Sequence, residues 1–451
     1  MRKPSRLVSV IAMVAVVFLS WSPPAGAQRR QEMQLLSDAE TEHIIRDMAR
    51  PIFQAAGIDA DAVNIILVND NTINAFVAGG QNIFLHTGLL LNVEDAGQLL
   101  GVIAHETGHI AGGHLVRGAD AMESAFLSSL IGMGIGVIGG IAAKNAGAGA
   151  AGLMLGQHLA ERNFLSFSRS QESSADQAGL SYMEQSGISA RGMETFLEKL
   201  GAADDPLLND PDAGYRRTHP LTRERIESVH NFVSHSRYAN KPIPPQWNEE
   251  FRRIQAKLYA YLDPAGALRR YRAEDPSFVA RYGRAYAYFR RGEVKQAQPL
   301  VDGLIAQEPK NAFLYEMKGD LMLQNGRAFD AASPYRKAIE LQPDATSIRV
   351  SLAHALLEQN DPKLADEALK NLQIAAKSQQ GQSAFLWRLT AQAWSMKGNN
   401  GMVAYATAEE AFARGDKPMA RAQAERAEKL LPAGSPGWLR AQDIRGQAGG
   451  K

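Results

Sequence analysis

The stretch IAHETGHIAGGH, Ile103 to His114, gathers three of the chain's ten histidines around one glutamate. His105 and His109 stand four residues apart. On a helix that spacing puts both imidazoles on one face, one turn apart, where they can reach a single zinc ion. Glu106 projects roughly a third of a turn away, where it can hold a water at that metal and take its proton. The surrounding run EDAGQLLGVIAHETGHIAGGHL, from Glu94, reads as one helix, with Leu99, Val102 and Ile103 apolar just before the motif. Two histidines and a base leave the metal short of a ligand.

A metzincin would carry its third histidine six positions after the second, which is Leu115 here. His114 is one residue early, and on a continuing helix it points off the metal face, so it reads as structural. A carboxylate from a separate helix is the alternative. SRSQESSADQAGLSYMEQSG places Glu172 and Asp176 four apart on one helical face, with Ala175, Ala178, Leu180 and Met183 available to bury it. Glu172 is the economical third ligand. Asp176 then accepts a hydrogen bond from a zinc-bound imidazole.

The rest of the chain narrows the possibilities. Cysteine is absent, which excludes disulfides, thiolate sites and cysteine nucleophiles and leaves His, Asp and Glu as the strong ligands. A net charge of +1 over 451 residues offers no basic excess for nucleic acid. The N-terminus has Arg2, Lys3 and Arg6, an apolar run from Leu7 to Leu19, then Ala25-Gly26-Ala27. That run is shorter than the roughly 20 residues a membrane span needs, so it predicts a Sec leader cleaved after Ala27 and export, in a Gram-negative-type cell to the periplasm. The uncharged segment Ala125–Ala143 is long enough to span a membrane, but its glycines favour a surface-associated or lid-like helical hairpin. The GIGVIG within it lacks a preceding strand and is discarded as a nucleotide motif.

Upstream of the motif, a helix is expected from Ser37 to about Ala56. VNIILVND and NAFVAGGQNIFLHTGLL follow as short strands of a small antiparallel meander, with Asn82, Ile83, Phe84, Leu85 and His86 as a strand that could hold an extended substrate by β-augmentation. Beyond Arg237, NKPIPPQWNEE reads as a linker. Gly292 and Gly326 then lie 34 residues apart, as do Pro309 and Pro343. That is the tetratricopeptide period. The next copy is degenerate, with Asn360 at the turn and Lys377 in place of Pro; Gly415 and Pro432 restore the half-repeat, giving three to four repeats. The expected architecture is mainly α (α+β): leader 1–27, metalloprotease domain 28–240, linker and leading helix 241–275, and an α-solenoid of repeats over 276–445.

His105-Glu106-x-x-His109 followed by Glu172-x-x-Ala175-Asp176 resembles the signature of the HtpX/CAAX-protease superfamily of gluzincin-like zinc metalloproteases. NAFVAGGQNIFLHTGLL is similar to that family's strand segment and THPLTRERI to its His-Pro motif. The resemblance implies one zinc per chain on His105, His109 and Glu172, Glu106 as general base and Asp176 as the partner behind a ligand. It further implies that His219 can cap the metal's open position in a latent enzyme, and that Arg225 sits near the site and aids the oxyanion. With a leader in front and repeats behind, the resemblance extends to members that act in outer-membrane protein assembly. It implies a periplasmic endopeptidase and chaperone, peripheral to the outer membrane. The implied partners are unfolded or misassembled outer-membrane proteins, the assembly machinery through the repeats, and a membrane surface at 125–143. A scaffold with latent or secondary proteolysis is the rival function.

Overall fold

The computed structural model describes residues 34–114, 169–202, 213–377 and 383–449. The leader, the Ala125–Ala143 segment and GIGVIG lie outside the described residues. The described residues are mostly helical, with one small mixed sheet.

Helix α1 (Ala39–Ala55) starts at Asp38, whose carboxylate accepts from the Thr41 N–H, while Glu42 Oε1 accepts from the Asp38 N–H at 3.1 Å. Two of the helix's orphan donors are thereby satisfied. Ile45, Met48, Ile52 and Phe53 face inward and are fully buried. They pack over strands β1 (Leu35–Leu36), β2 (Asn64–Val68), β3 (Ala75–Ala78) and β4 (Asn82–His86).

The strand order is β1-β2-β4-β3, with β4 parallel to β2 and antiparallel to β3. This departs from the expected antiparallel meander. β3 and β4 do form a hairpin, turning at Gly79 and Gly80, which both have positive φ. The hairpin then inserts its second strand beside β2. Alternation of apolar residues marks strands but leaves their neighbours open. The consequence bears on function. β4 is paired on both sides, so Asn82–His86 cannot accept a further strand, and the edge strands are β1 and, next to β4, β3.

Helix α2 (Thr87–Asn92) leads to α3 (Ala96–Ala111), where Asp95 accepts from the Gln98 N–H at 2.9 Å and the Gln98 side chain accepts from the Glu94 N–H. All of α3 from Ala96 to His109 is buried. It is walled by β3, α4 (Arg169–Ser186) and α5 (Arg191–Ala202). The α3–α4 crossing is close because small residues face each other. A Cβ on Gly108 would fall 2.5 Å from the Ala175 carbonyl oxygen, and one on Gly179 would fall 2.9 Å from Ala104. Gly108→Ala is therefore expected to push the helices apart and destabilise the fold by about 1–3 kcal/mol, measured as a lower denaturation midpoint.

Helix α3 ends at Ala111, short of the expected Leu115, because Gly113 takes a left-handed conformation (φ +61). Helices α6 (Ala213–Thr218) and α7 (Arg223–His235) complete this part. The segment read as a linker, NKPIPPQWNEE, is non-helical through Pro244 and then enters a helix. In α8 (Pro245–Leu262), Phe251, Ile254 and Leu258 enter the core beneath α1, while Ala256 and Ala260 enter the next cluster. Lys257 of α8 is buried against Asp38 (2.6 Å) and Glu40 (2.8 Å), and Tyr282 donates to the same Glu40 carboxylate.

From Phe278 to Ala448 the helices form antiparallel pairs in a repeat-like arrangement. Gly292, Gly326 and Asn360 keep the 34-residue interval, and all three have positive φ, between 53° and 72°. Asn360 is the one non-glycine residue of that kind among the described residues. Asn tolerates the left-handed region better than most residues, which explains its place in the degenerate copy. No helix of the described residues is long and apolar enough to cross a membrane.

Candidate metal centre

Four elements deliver the centre. Helix α3 carries His105, Glu106 and His109, α4 carries Glu172 and Asp176, the turn after α6 carries His219, and α7 carries Arg225. All seven side chains are buried. His219 is positioned from both sides. Pro220 follows it and biases its backbone away from helix, its N–H donates to the Tyr215 carbonyl at 2.7 Å, and the Tyr215 ring stacks on its imidazole at 4.5 Å.

His105, His109, Glu172 and His219 converge, each offering one ligating atom within 4.8 Å of the others. His105 Nε2 lies 3.1 Å from His109 Nε2 and 3.3 Å from His219 Nδ1. Glu172 Oε1 lies 3.1 Å from His219 Nδ1 and 3.3 Å from His109 Nε2. Ligands at 2.0–2.1 Å from a tetrahedral ion stand about 3.3–3.4 Å apart. The spacing fits a four-coordinate metal.

The outward ring atoms explain why the inward ones are lone pairs. His105 Nδ1 meets Asp176 Oδ1 at 2.8 Å, and His219 Nε2 meets the Ala75 carbonyl of β3 at 3.0 Å. A carboxylate and a carbonyl can only accept, so each ring carries its proton there and turns a lone pair to the centre. His109 Nδ1 is 3.0 Å from His114 Nδ1. Lone pairs and a carboxylate aimed at one buried point require a cation between them.

The electrostatics of the metal-free side chains put that positive charge on His105 itself. Burial opposes a charge on His105, but hydrogen bonds to Asp176 and Glu172 outweigh it and push the ring up to about 10. Burial dominates at His109 and takes it down to about 3, so that ring is neutral. Glu172 is held well below the ordinary carboxylate range because the three imidazoles overcome its burial. Glu106 is the exception. Burial raises it, and neither of its carboxylate oxygens has a hydrogen-bond donor among the described residues. A fully buried carboxylate with no hydrogen-bond donor, its Oε1 3.4 Å from His219 Nε2 and beside a metal position, is placed to take a proton.

Arg225 binds Asp176 through Nε (2.6 Å) and Nη2 (2.9 Å). Its Nη1 donates to the Pro220 carbonyl and lies 2.7 Å from Glu172 Oε2. Its guanidinium is committed to holding the carboxylates behind the histidines rather than facing a substrate oxygen.

Sequence reasoning missed three participants: His114, Tyr215 and the β3 carbonyls. The Gly112-Gly113 pair that stops the helix was the available signal for His114. Tyr215 and Ala75 carry no local signal, since only the tertiary fold brings them to His219.

A buried His-Glu-His set with a carboxylate base on the residue next to one ligand defines a metallopeptidase centre. Residues 36–233 match the profile described as Peptidase family M48. The chain is 25% identical over 397 residues to the beta-barrel assembly-enhancing protease of Escherichia coli (strain K12), covering 85% of this chain and 77% of that protein. It is also 27% identical over 178 residues to the E. coli metalloprotease LoiP, covering 39% of this chain and 65% of that protein. The mitochondrial metalloendopeptidase OMA1 of Schizosaccharomyces pombe is 28% identical over 198 residues, covering 43% of this chain and 53% of that protein. The chain is a metalloendopeptidase.

Proposed function

We propose that the chain is a periplasmic zinc endopeptidase, latent at rest, that removes misassembled or stalled outer-membrane proteins and assists their assembly. The observation that carries it is the convergence of three imidazole nitrogens and the Glu172 carboxylate on one buried point, with the buried Glu106 carboxylate beside it, 3.4 Å from His219 Nε2. Zinc suits this set because it accepts nitrogen and oxygen ligands in tetrahedral geometry. The similarity to the beta-barrel assembly-enhancing protease over most of the chain supports the outer-membrane role. Cleavage of a leader after Ala27, a peptidase domain over 28–240, and tetratricopeptide repeats over 276–445 that dock on the assembly machinery belong to the same reading.

In this reading His105, His109 and Glu172 hold the metal and His219 fills the fourth position of the resting enzyme. Bound zinc would acidify water and polarise a peptide carbonyl. Glu106 takes the proton of the attacking water and returns it to the departing amine; burial raises its carboxyl, which favours its holding the proton between the two transfers. Asp176 keeps the His105 proton on Nδ1, and Arg225 holds Asp176 and Glu172 in place.

Substrate pairing moves from β4 to the edge strand β3. The carbonyls of Ile73 and Ala75 point away from β4, and here they accept from the Tyr215 N–H (3.0 Å) and His219 Nε2 (3.0 Å). The turn that supplies His219 thus occupies both the fourth metal position and part of the edge on which an extended peptide would pair. Displacement of α6 would free both together, which favours the latent form of the enzyme over a silent scaffold.

His219→Ala is expected to raise hydrolysis of an unfolded β-barrel protein by about tenfold or more, as removal of a closed state that dominates the resting population would do. The measurement is cleavage rate on an unfolded chain at fixed zinc. Unchanged or lower activity with zinc retained would remove latency from the account. In cells, a Glu106→Gln chain that fully restores outer-membrane integrity to a deletion strain would favour the scaffold reading.

A further inference from the structure

His114 was set aside on the premise that the helix runs through it. The helix instead stops in a specific way. The Gly113 N–H donates to the Ile110 carbonyl at 3.1 Å and the His114 N–H to the His109 carbonyl at 3.2 Å, with Gly113 left-handed between them. This is a Schellman ending, in which the second residue past the cap returns to the residue three positions before the helix end. The pair brought together is ordinarily apolar. Here it is His114 and His109, their Nδ1 atoms 3.0 Å apart and their rings edge-on at 77°. Gly112 makes room for the ring, since a Cβ there would fall 2.6 Å from His114 Nε2.

We propose that His114 is a positioning residue that fixes the tautomer and plane of His109. For His109 to offer its Nε2 lone pair to a metal, its proton must sit on Nδ1. That proton needs an acceptor, and His114 Nδ1 is at hydrogen-bond distance from it. His114 accordingly accepts through Nδ1 and carries its own proton on Nε2. The two helix histidines are thus held differently: His105 by the anionic Asp176, His109 by a neutral ring. The inference rests on the reading of His105, His109 and Glu172 as metal ligands.

The test is zinc affinity of the full chain, measured by competition with a chelating dye, for wild type, His114→Leu, His114→Asn and His109→Ala, together with the melting temperature of each metal-free protein. Leu fills the space without accepting; Asn presents an amide oxygen near the position of Nδ1. His114→Leu is expected to bind zinc about 10–100-fold more weakly, the range for losing a hydrogen-bond partner behind a ligand. His114→Asn is expected to recover most of that loss, with metal-free melting temperatures unchanged. If the Leu chain does not fold, Gly112→Ala displaces the ring without removing it and is expected to weaken zinc binding in the same direction. Wild-type affinity in His114→Leu overturns the proposal, as does equal weakening in Leu and Asn with both metal-free proteins melting lower. In those cases His109→Ala still loses zinc and the ligand assignment stands. Equal zinc binding by wild type and His109→Ala overturns the ligand assignment and this proposal together.

Discussion

Glu106→Gln is expected to lower peptide hydrolysis by at least 10²–10⁴-fold, the contribution of a positioned general base, while zinc stays bound. Gln keeps the size and burial of the side chain but cannot accept the water's proton or hand it to the amine. The effect belongs in kcat, because Glu106 lies outside the set of four converging ligands. Metal content and melting temperature are expected to match wild type. Since the buried carboxylate lacks a hydrogen-bond donor among the described residues, its neutralisation is expected to be neutral or mildly stabilising. A Gln variant that keeps more than about a tenth of wild-type kcat would remove Glu106 from the base role.

The second large effect is on stability. Arg225→Leu leaves Asp176 without its bidentate partner in a site from which water is excluded. Breaking a buried pair by removing one member costs about 3–5 kcal/mol, and because Asp176 keeps its hydrogen bond to His105 the lower end of that range is expected. Arg225 is 4% exposed and Asp176 2%, so screening by water offers little relief. The denaturation midpoint is expected to fall sharply in Arg225→Leu and to recover in part in the Arg225→Leu, Asp176→Asn double variant, where no buried charge is stranded. The pH dependence has a definite sign. Burial alone would raise the Asp176 carboxyl, but His105 and Arg225 outweigh it and hold it below its ordinary 3.8. Its contribution is therefore fully present above pH 3.8 and lost as pH falls further through the folded-state value. An Arg225→Leu chain as stable as wild type would show that the carboxylates do not depend on it.

Much of the centre was legible because helical geometry converts spacing directly into contact. His105 and His109 had to share a face, as did Glu172 and Asp176, whatever the rest of the fold did. The 34-residue interval was readable for a similar reason: the turn at each repeat needs a left-handed residue, and Gly292, Gly326 and Asn360 supply one. What failed was information that lies between elements. The pattern of Asn82–His86 marks a strand but not the two partners that make it central. The Gly-Gly before His114 marks a helix end, yet only the returning backbone shows that the ring lands on His109. The commitment of Arg225 to Asp176 and Glu172 follows from the packing of α7 on α4, which no local pattern encodes.

The central claim is that His105, His109 and Glu172 bind zinc with His219 completing the resting site. X-ray absorption at the zinc edge on the purified full chain tests it most directly. One zinc with three imidazole nitrogens and one carboxylate oxygen at about 2.0–2.2 Å is expected, falling to two imidazoles in His219→Ala. Zinc with two imidazoles in the wild type would contradict the resting cap. A coordination shell unchanged by Glu172→Gln, or a chain that holds no zinc, would contradict the site itself.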